Sequence, residues 1–144
     1  MNKINITQQQ VDHMIVELIY KIQSRGIYFN CVVGIANGGL HVSRPIAKSL
    51  NLEHKTIHIS HYKNDVFHES PYIGLCEVKA GATGLLICDD LTDGGHSLQT
   101  FDKIIGLKGN YTAVLFCGKN SIIKPDFYVE EKPDAWLVLP WEIE

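Results

Sequence analysis

Residues 85–97, LLICDDLTDGGHS, carry the pattern that decides the fold. A short apolar run is followed at once by two acids, a glycine pair and a hydroxyl. Such a run is typical of a strand buried on both faces of a parallel sheet. Because ligands of these sheets bind at the carboxyl ends of the strands, we expect Asp89 and Asp90 at a binding edge. The glycine pair before a predicted helix indicates an anion-binding turn, since free N–H groups can approach a phosphate there.

Strands and helices alternate along the rest of the chain. Thr7 and Gln10 have the spacing of a capping box, and apolar residues then recur at helical intervals up to Gly26. The alternation predicts a single α/β domain over residues 1–144, with a mainly parallel twisted sheet flanked by helices. The predicted elements, in chain order, are a helix at 7–26, a strand at 31–35, a helix at 43–50, strands at 56–60 and 85–88, a helix at 96–107, and strands at 112–117, 127–129 and 136–139.

Residues 61–84 interrupt this alternation with charges, a proline and three glycines, and they show no clear period. Loops of this length are usually functional or disordered. We therefore predict a long flexible excursion that could contain a short ribbon.

Composition narrows the class of protein. The chain has 45% hydrophobic and 20% charged residues, as an ordinary globular domain does. A net charge of −3 and the lack of a window rich in Lys and Arg disfavour binding to nucleic acid. No apolar run is long enough to span a bilayer, and the first residues do not resemble a signal peptide, so we expect a cytoplasmic protein without a membrane partner.

Cysteines and histidines give weaker signals. Cys31, Cys88 and Cys117 each lie in an apolar run, which favours buried thiols over a zinc site or a disulfide. The run of His54, His58 and His61 suggests a metal site at first sight, but side chains at this spacing do not converge on a strand.

Two common nucleotide motifs are absent. The loop at 34–39, GIANGG, follows an apolar strand but lacks the G-x-G-x-x-G spacing of a dinucleotide fingerprint. Gly118-Lys119 is not a P-loop, because Ala113 stands where its first glycine should be and Asn120 where Ser or Thr should follow the lysine.

Four segments, taken together, resemble the type I phosphoribosyltransferases. ICDDLTDGGHSL is similar to that family's signature for phosphoribosyl diphosphate (PRPP), and VVGIANGGLHVSRPIAKSL to its pyrophosphate loop and the following helix. ISHY resembles the start of its flexible catalytic loop. AWLVLPWE resembles the purine-site segment of the xanthine–guanine members, to which the chain is most similar. The resemblance implies the type I fold with a flexible hood insertion.

The resemblance also implies roles for individual residues. Asp89, Asp90 and Asp93 would be the catalytic residues. Asp89 and Asp90 would bind the ribose hydroxyls directly or through Mg²⁺, and the carboxylate of Asp93, near purine N7, would be the proton acceptor. Trp141 either fills the core or walls the base site. The implied PRPP site consists of Asn37, Gly38, Gly39, Asp89, Asp90, Asp93, Gly94, Gly95, His96 and Ser97. The implied base site consists of Trp136 and Leu137, which would line the ring, and Lys119, which would reach its 6-oxygen.

The activity implied is the transfer of a phosphoribosyl group from PRPP to guanine, xanthine or hypoxanthine, in a Mg²⁺-dependent dimer or tetramer. A nucleoside monophosphate and pyrophosphate would be the products. Three departures keep a second hypothesis open: Asn37 replaces a common basic residue, Gly94 a threonine and His96 a glycine. These changes suit a non-catalytic PRPP or nucleotide sensor. An RNA-binding regulator is disfavoured by the net charge of −3.

Overall fold

A central sheet of seven strands organises the chain in the computed structural model, which describes residues 2–142. Every strand pair of this sheet is parallel except β3–β4, which is antiparallel. The order of its strands is β4-β3-β2-β5-β7-β6, and β8 also pairs with β7. The described elements are β1 (Lys3–Asn5), α1 (Gln8–Ser24), β2 (Cys31–Ala36), α2 (Leu40–Leu50), β3 (Glu53–Lys63), β4 (Val66–Cys76), β5 (Leu85–Cys88), β6 (Leu91–Thr92), α3 (His96–Ile104), β7 (Tyr111–Cys117), β8 (Phe127–Glu131) and β9 (Trp136–Val138).

Helices cover both faces of the sheet. The apolar sides of α1 and α2 join one core cluster, and α3 contributes Leu98 and Phe101 to a second cluster. The central strands β2 and β5 are buried along their whole length. The predicted α/β fold with a mainly parallel sheet is therefore confirmed, and Cys31, Cys88 and Cys117 are buried as expected.

The first helix begins as its sequence indicated. Thr7 caps it by accepting a hydrogen bond from the backbone N–H of Gln10, while the Gln10 side chain accepts one from the backbone N–H of Thr7. None of the helices described between residues 2 and 142 is long and apolar enough to cross a membrane.

Two helix boundaries differ from the prediction. The second helix begins at Leu40 and not at residue 43, so Pro45 lies inside it and not in its first turn. The third helix ends at Ile104 and not near residue 107, because Gly106 has a φ of +112° and donates its N–H back to the carbonyl of Phe101. Local propensity alone did not reveal either end.

The stretch at 61–84, predicted as a long excursion that could contain a short ribbon, does contain a ribbon, and this ribbon is longer than expected. Most of it belongs to a hairpin of β3 and β4, each eleven residues long. The turn is made by Asn64 and Asp65, whose φ values of +52° and +61° suit these two residue types. We overlooked this pair because the alternation of the flanking strands is weak, and most of β4 is exposed.

A small second sheet ties the two ends of the described chain together. In it β1 pairs with β9 in parallel, with Lys3 opposite Trp136 and Asn5 opposite Val138. The sequence analysis did not predict β1. Its consequence is that the segment carrying Trp136 and Leu137 is held by backbone hydrogen bonds and not by side chains alone.

Candidate active site

A cavity of about 340 Å³ opens at the carboxyl ends of the central strands. It lies between the loop after β2, the loop after β5, the β3–β4 hairpin and the start of β9. The lining includes most of the residues predicted for the site: Asn37, Gly38, Asp89, Asp90, Asp93, Gly94, Gly95, His96, Ser97, Trp136 and Leu137. Gly39 and Lys119 are not part of the lining.

Two adjacent carboxylates form the floor of the cavity. Asp89 is 9% exposed, and its Oδ1 accepts a hydrogen bond of 2.9 Å from the backbone N–H of Asp90. The Oδ1 of Asp90 accepts one of 2.8 Å from the N–H of Leu91. Burial raises the pKa of Asp89 well above its usual range, and the neighbouring charge of Asp90 raises it further. Burial also raises the pKa of Asp90. Adjacent carboxylates at this position, one buried and one half-buried, favour binding of a cation or of hydroxyl donors.

The acid pair has the chemistry of a Mg²⁺ site that needs a second source of ligands. Mg²⁺ prefers oxygen ligands and is commonly held by one or two carboxylates together with substrate phosphates. Within the described residues, no three His, Cys, Asp or Glu side chains come close enough together to hold a metal ion. Asp89 and Asp90 therefore fit Mg²⁺ that arrives with a phosphorylated substrate.

The loop after β2 packs so tightly that its glycines have no room for a side chain. A methyl group on Gly38 would collide with the carboxylate of Asp90. On Gly39 it would collide with the backbone oxygen of Ile35 and lie 2.7 Å from that of Cys88. Gly39 therefore packs against the backbone of the neighbouring strands, whereas Asn37 and Gly38 line the cavity.

The turn before α3 is built for close approach to an anion. Gly95 has a φ of +83°, and a side chain there would lie 2.5 Å from the Oγ of Ser121. The helix begins at His96 and runs for nine residues, so its first N–H groups point into the turn. Gly94, Gly95, His96 and Ser97 all line the cavity. The turn offers backbone donors at a position suited to a phosphate.

The β3–β4 hairpin closes the cavity above this turn, and its residues were missed by the sequence analysis. His61 is 7% exposed. One of its ring nitrogens lies 2.9 Å from the carbonyl oxygen of His68, and the other 2.9 Å from the Oγ1 of Thr100 on α3. The ring of Phe67 stacks on that of His61 at 5.5 Å and contacts His96 at 4.7 Å between centroids. In the sequence, only the resemblance of ISHY to the start of a catalytic loop indicated that this segment contributes to the site.

The side chains of the run His54, His58 and His61 have different neighbours. His54 Nε2 lies 2.7 Å from the Oγ of Ser43, on α2. His58 makes an edge contact with Tyr72 on the neighbouring strand, and His61 faces Thr100 on α3. Their partners thus belong to three different elements.

The other end of the cavity has an apolar wall and a lysine. Leu137 is buried at 3% exposure, whereas the indole of Trp136 is 49% exposed, so one part of this wall remains open to solvent. Lys132 places its Nζ 2.8 Å from the carbonyl oxygen of Ala135 and 3.8 Å from Oδ1 of Asp93. Lys119 is exposed and lies outside the lining. The structure thus brings Lys132, and not Lys119, to the predicted base site.

Trp141 lies behind the acid pair, at the edge of the core. Its ring stacks on that of His41 at 4.3 Å, with an angle of 4° between the planes. Its indole N–H is buried, and its interaction with the carboxylate of Asp90 lowers the pKa of that group against the larger effect of burial. Trp141 does not line the cavity, although it packs against the core cluster of α1 and α2.

The lining is acidic as a whole. Within the described part of the chain, five acidic residues line the cavity, against one lysine, Lys132; the acidic residues are Asp65, Asp89, Asp90, Asp93 and Glu142. A polyanion alone would be repelled by such a wall, so a phosphorylated ligand would bind here together with a cation.

Comparison with known proteins agrees with this geometry. The chain is 26% identical over 140 residues to a xanthine-guanine phosphoribosyltransferase of Nitratidesulfovibrio vulgaris, covering 96% of this chain and 84% of that protein. The crystal structure of a purine phosphoribosyltransferase from Pyrococcus horikoshii matches with a TM-score of 0.83 at 27% identity, covering 100% of this chain and 96% of that one. A Helicobacter pylori xanthine-guanine-hypoxanthine phosphoribosyltransferase matches in fold, with a TM-score of 0.80 at 19% identity, covering 99% and 95%. No family model matches the chain.

Proposed function

We propose that this chain, which belongs as a distant member to the type I purine phosphoribosyltransferases, transfers the phosphoribosyl group of PRPP to a 6-oxopurine. The products are a nucleoside monophosphate and pyrophosphate. One observation carries the proposal: a single cavity holds an acid pair with one buried and one half-buried carboxylate, a glycine-rich turn at a helix start and a half-apolar wall. Those three surfaces suit a ribose with its hydroxyls, a 5′-phosphate and a planar base, respectively.

The reaction begins with cleavage of the bond between C1′ of the ribose and the pyrophosphate oxygen. The bonding electrons leave with pyrophosphate, and positive charge develops on the ribose. Asp89 and Asp90 accept hydrogen bonds from the ribose hydroxyls, and their negative charge stabilises the developing cation, as carboxylates do in glycoside hydrolysis. A purine nitrogen then forms the new bond to C1′.

A proton must leave the purine as this bond forms. Asp93 is placed to accept it, since its side chain lines the cavity and is 71% exposed. The ammonium of Lys132, 3.8 Å from Oδ1 of Asp93, holds that carboxylate toward the base. The pyrophosphate meets the backbone of the loop at Asn37 and Gly38, which carries no charge of its own. Mg²⁺, bound at Asp89 and Asp90, would neutralise the leaving group.

Lys132 is the residue that we assign to recognition of the base. An ammonium has three donors and no acceptor. Lys132 directs donors at the carbonyl oxygens of Ala135 and Pro133, at 2.8 and 3.3 Å, which leaves one donor for the cavity. That donor suits a 6-keto oxygen and opposes the 6-amino group of adenine.

The assay for this proposal mixes the protein with PRPP, Mg²⁺ and guanine, xanthine, hypoxanthine or adenine, and measures release of pyrophosphate. We expect turnover with at least one 6-oxopurine and none with adenine. Lys132→Ala should lower kcat/KM for the 6-oxopurine by about a hundredfold, because the base then loses a charged hydrogen bond. Lys119→Ala is the matched control and should behave as the wild type does. Turnover with adenine as the best base would refute the 6-oxopurine assignment.

A nucleotide sensor without turnover is the second candidate, and the uncharged loop at Asn37 favours it. Such a protein would bind PRPP or a nucleoside monophosphate at the acid pair and the phosphate turn. The same assay decides between the two candidates, since a sensor binds PRPP in calorimetry but releases no pyrophosphate with any of the four bases.

A further inference from the structure

Gly94 and His96 occupy one shared space at the phosphate turn. A methyl group on Gly94 would have three nearest neighbours, and all three are ring atoms of His96: Nε2 at 2.7 Å, Cδ2 at 2.8 Å and Cε1 at 3.8 Å. Gly94 is not among the glycines with positive φ, so its backbone would accept any side chain. The His96 ring alone therefore excludes a side chain from position 94.

The ring of His96 is held in that place by the hairpin. Phe67 contacts it at 4.7 Å between centroids, and His61 lies 5.7 Å away. His61 in turn bridges the hairpin and α3, through contacts of 2.9 Å to the carbonyl of His68 and to Thr100. Thr100 lies one helical turn beyond His96 on the same helix. The ring of His96 is thus clamped between the hairpin and the turn.

The nitrogens of His96 are free to meet a ligand. The ring is exposed, it lines the cavity, and it makes no hydrogen bond to any residue between 2 and 142. Its Nε2 lies 2.7 Å from the position that a Cβ on Gly94 would take, directly before the first turn of α3. An imidazole N–H in this position would donate to a phosphate oxygen.

We propose that His96 is the side-chain donor of the phosphate turn and takes the place of a hydroxyl at position 94, with Phe67 holding its ring in position. The ligand is a phosphate monoester dianion, which rests on the proposed function of the cavity as a ribose 5-phosphate site. The hairpin thereby becomes part of the phosphate site, because moving Phe67 releases the ring that contacts the phosphate. A side chain at position 94 and an imidazole at position 96 exclude each other.

A double-mutant cycle at positions 94 and 96 tests whether the two side chains exclude each other. The quantity measured is the affinity for ribose 5-phosphate, which carries no base. His96→Phe keeps the ring and its contact with Phe67 but removes both nitrogens, so it should melt as the wild type does and bind about ten- to a hundredfold more weakly. Gly94→Thr alone should weaken binding similarly, because the new side chain displaces the His96 ring. His96→Gly alone, the second single variant of the cycle, should bind about as weakly as His96→Phe. Gly94→Thr combined with His96→Gly should bind within about threefold of wild type, because the hydroxyl then occupies the vacated space.

Phe67→Leu tests the clamp separately. It should weaken binding of ribose 5-phosphate severalfold when His96 is present and have no effect in the His96→Gly background. Binding of ribose 5-phosphate by His96→Phe as tight as that by the wild type would overturn the proposal. So would a double variant whose loss of affinity equals the product of the losses in the two single variants. Failure of the proposed function looks different: the cycle holds with ribose 5-phosphate, but no base yields pyrophosphate. A wild-type protein that does not bind ribose 5-phosphate in the millimolar range would overturn both.

Discussion

Two neighbouring loops at the carboxyl edge of the sheet contribute different kinds of groups to the cavity. They follow β2 and β5, which pair directly, with Gly34 opposite Cys88. The loop after β5 supplies the buried carboxylate of Asp89 and the half-buried one of Asp90, and it leads into the turn before α3. The loop after β2 supplies the amide of Asn37 and backbone groups, but no charge. Under the proposed function, the ribose phosphate would contact the side chains and the turn of the loop after β5, whereas the leaving group would depend on backbone groups and on a bound cation.

The same two loops depend on each other for space. Gly38 leaves room for the carboxylate of Asp90, and Gly39 leaves room for the backbone at Cys88 and Asp89. The glycines of the loop after β2 thus allow the loop after β5 to adopt its conformation. These glycines act through packing, and the contribution of their loop to binding can be separated from its contribution to folding.

The largest expected effect follows removal of the charge from the loop after β5. Asp89→Asn with Asp90→Asn should lower kcat/KM by about a thousandfold or more, because the developing charge on the ribose loses its stabilising carboxylates. The fold should survive, since burial already raises the pKa of both groups and neutral amides are easier to bury. Pyrophosphate release and thermal melting measure the two effects. Unchanged activity in the folded double variant would remove the acid pair from the site.

A smaller effect is expected from filling the glycine positions of the other loop. Gly39→Ala should destabilise the protein by about 1–3 kcal/mol, because its methyl group meets backbone atoms that cannot move independently. Gly38→Ala is the matched variant: its methyl group meets only the Asp90 carboxylate, so PRPP affinity should fall with a smaller loss of stability. Chemical unfolding and calorimetry separate the two. Equal losses of stability would show that both glycines serve packing alone.

The smallest effect should follow addition of charge to the loop after β2. Asn37→Arg should tighten PRPP binding by about tenfold, because a charged hydrogen bond is roughly twice as strong as a neutral one. Binding of GMP should change little, since GMP lacks the diphosphate. Calorimetry with both ligands measures the difference. An equal gain for PRPP and GMP would mean that Asn37 faces the 5′-phosphate and not the pyrophosphate.

Three residues that the structure brings to one cavity, Asn37, Asp89 and Asp90, follow buried strands within two residues. Asp89 and Asn37 lie directly beyond β5 and β2, so the parallel order of the strands places them together. Lys119 also follows a buried strand, β7, but the chain turns away there and leaves its side chain in solvent. Lys132 lies just beyond β8, a strand that was predicted two residues too short.

The sequence by itself determined the α/β fold, the parallel sheet, the first helix with its cap, and the loop that carries the acids and the phosphate turn. Each of these depends on local periodicity or on residues adjacent in the chain. Only the tertiary structure decided that Lys132 lines the same cavity as Trp136 and Leu137, that β1 pairs with β9, and that the ring of Phe67 packs against that of His96. Those contacts join residues far apart in sequence, and their geometry depends on how whole elements pack, which no local pattern encodes.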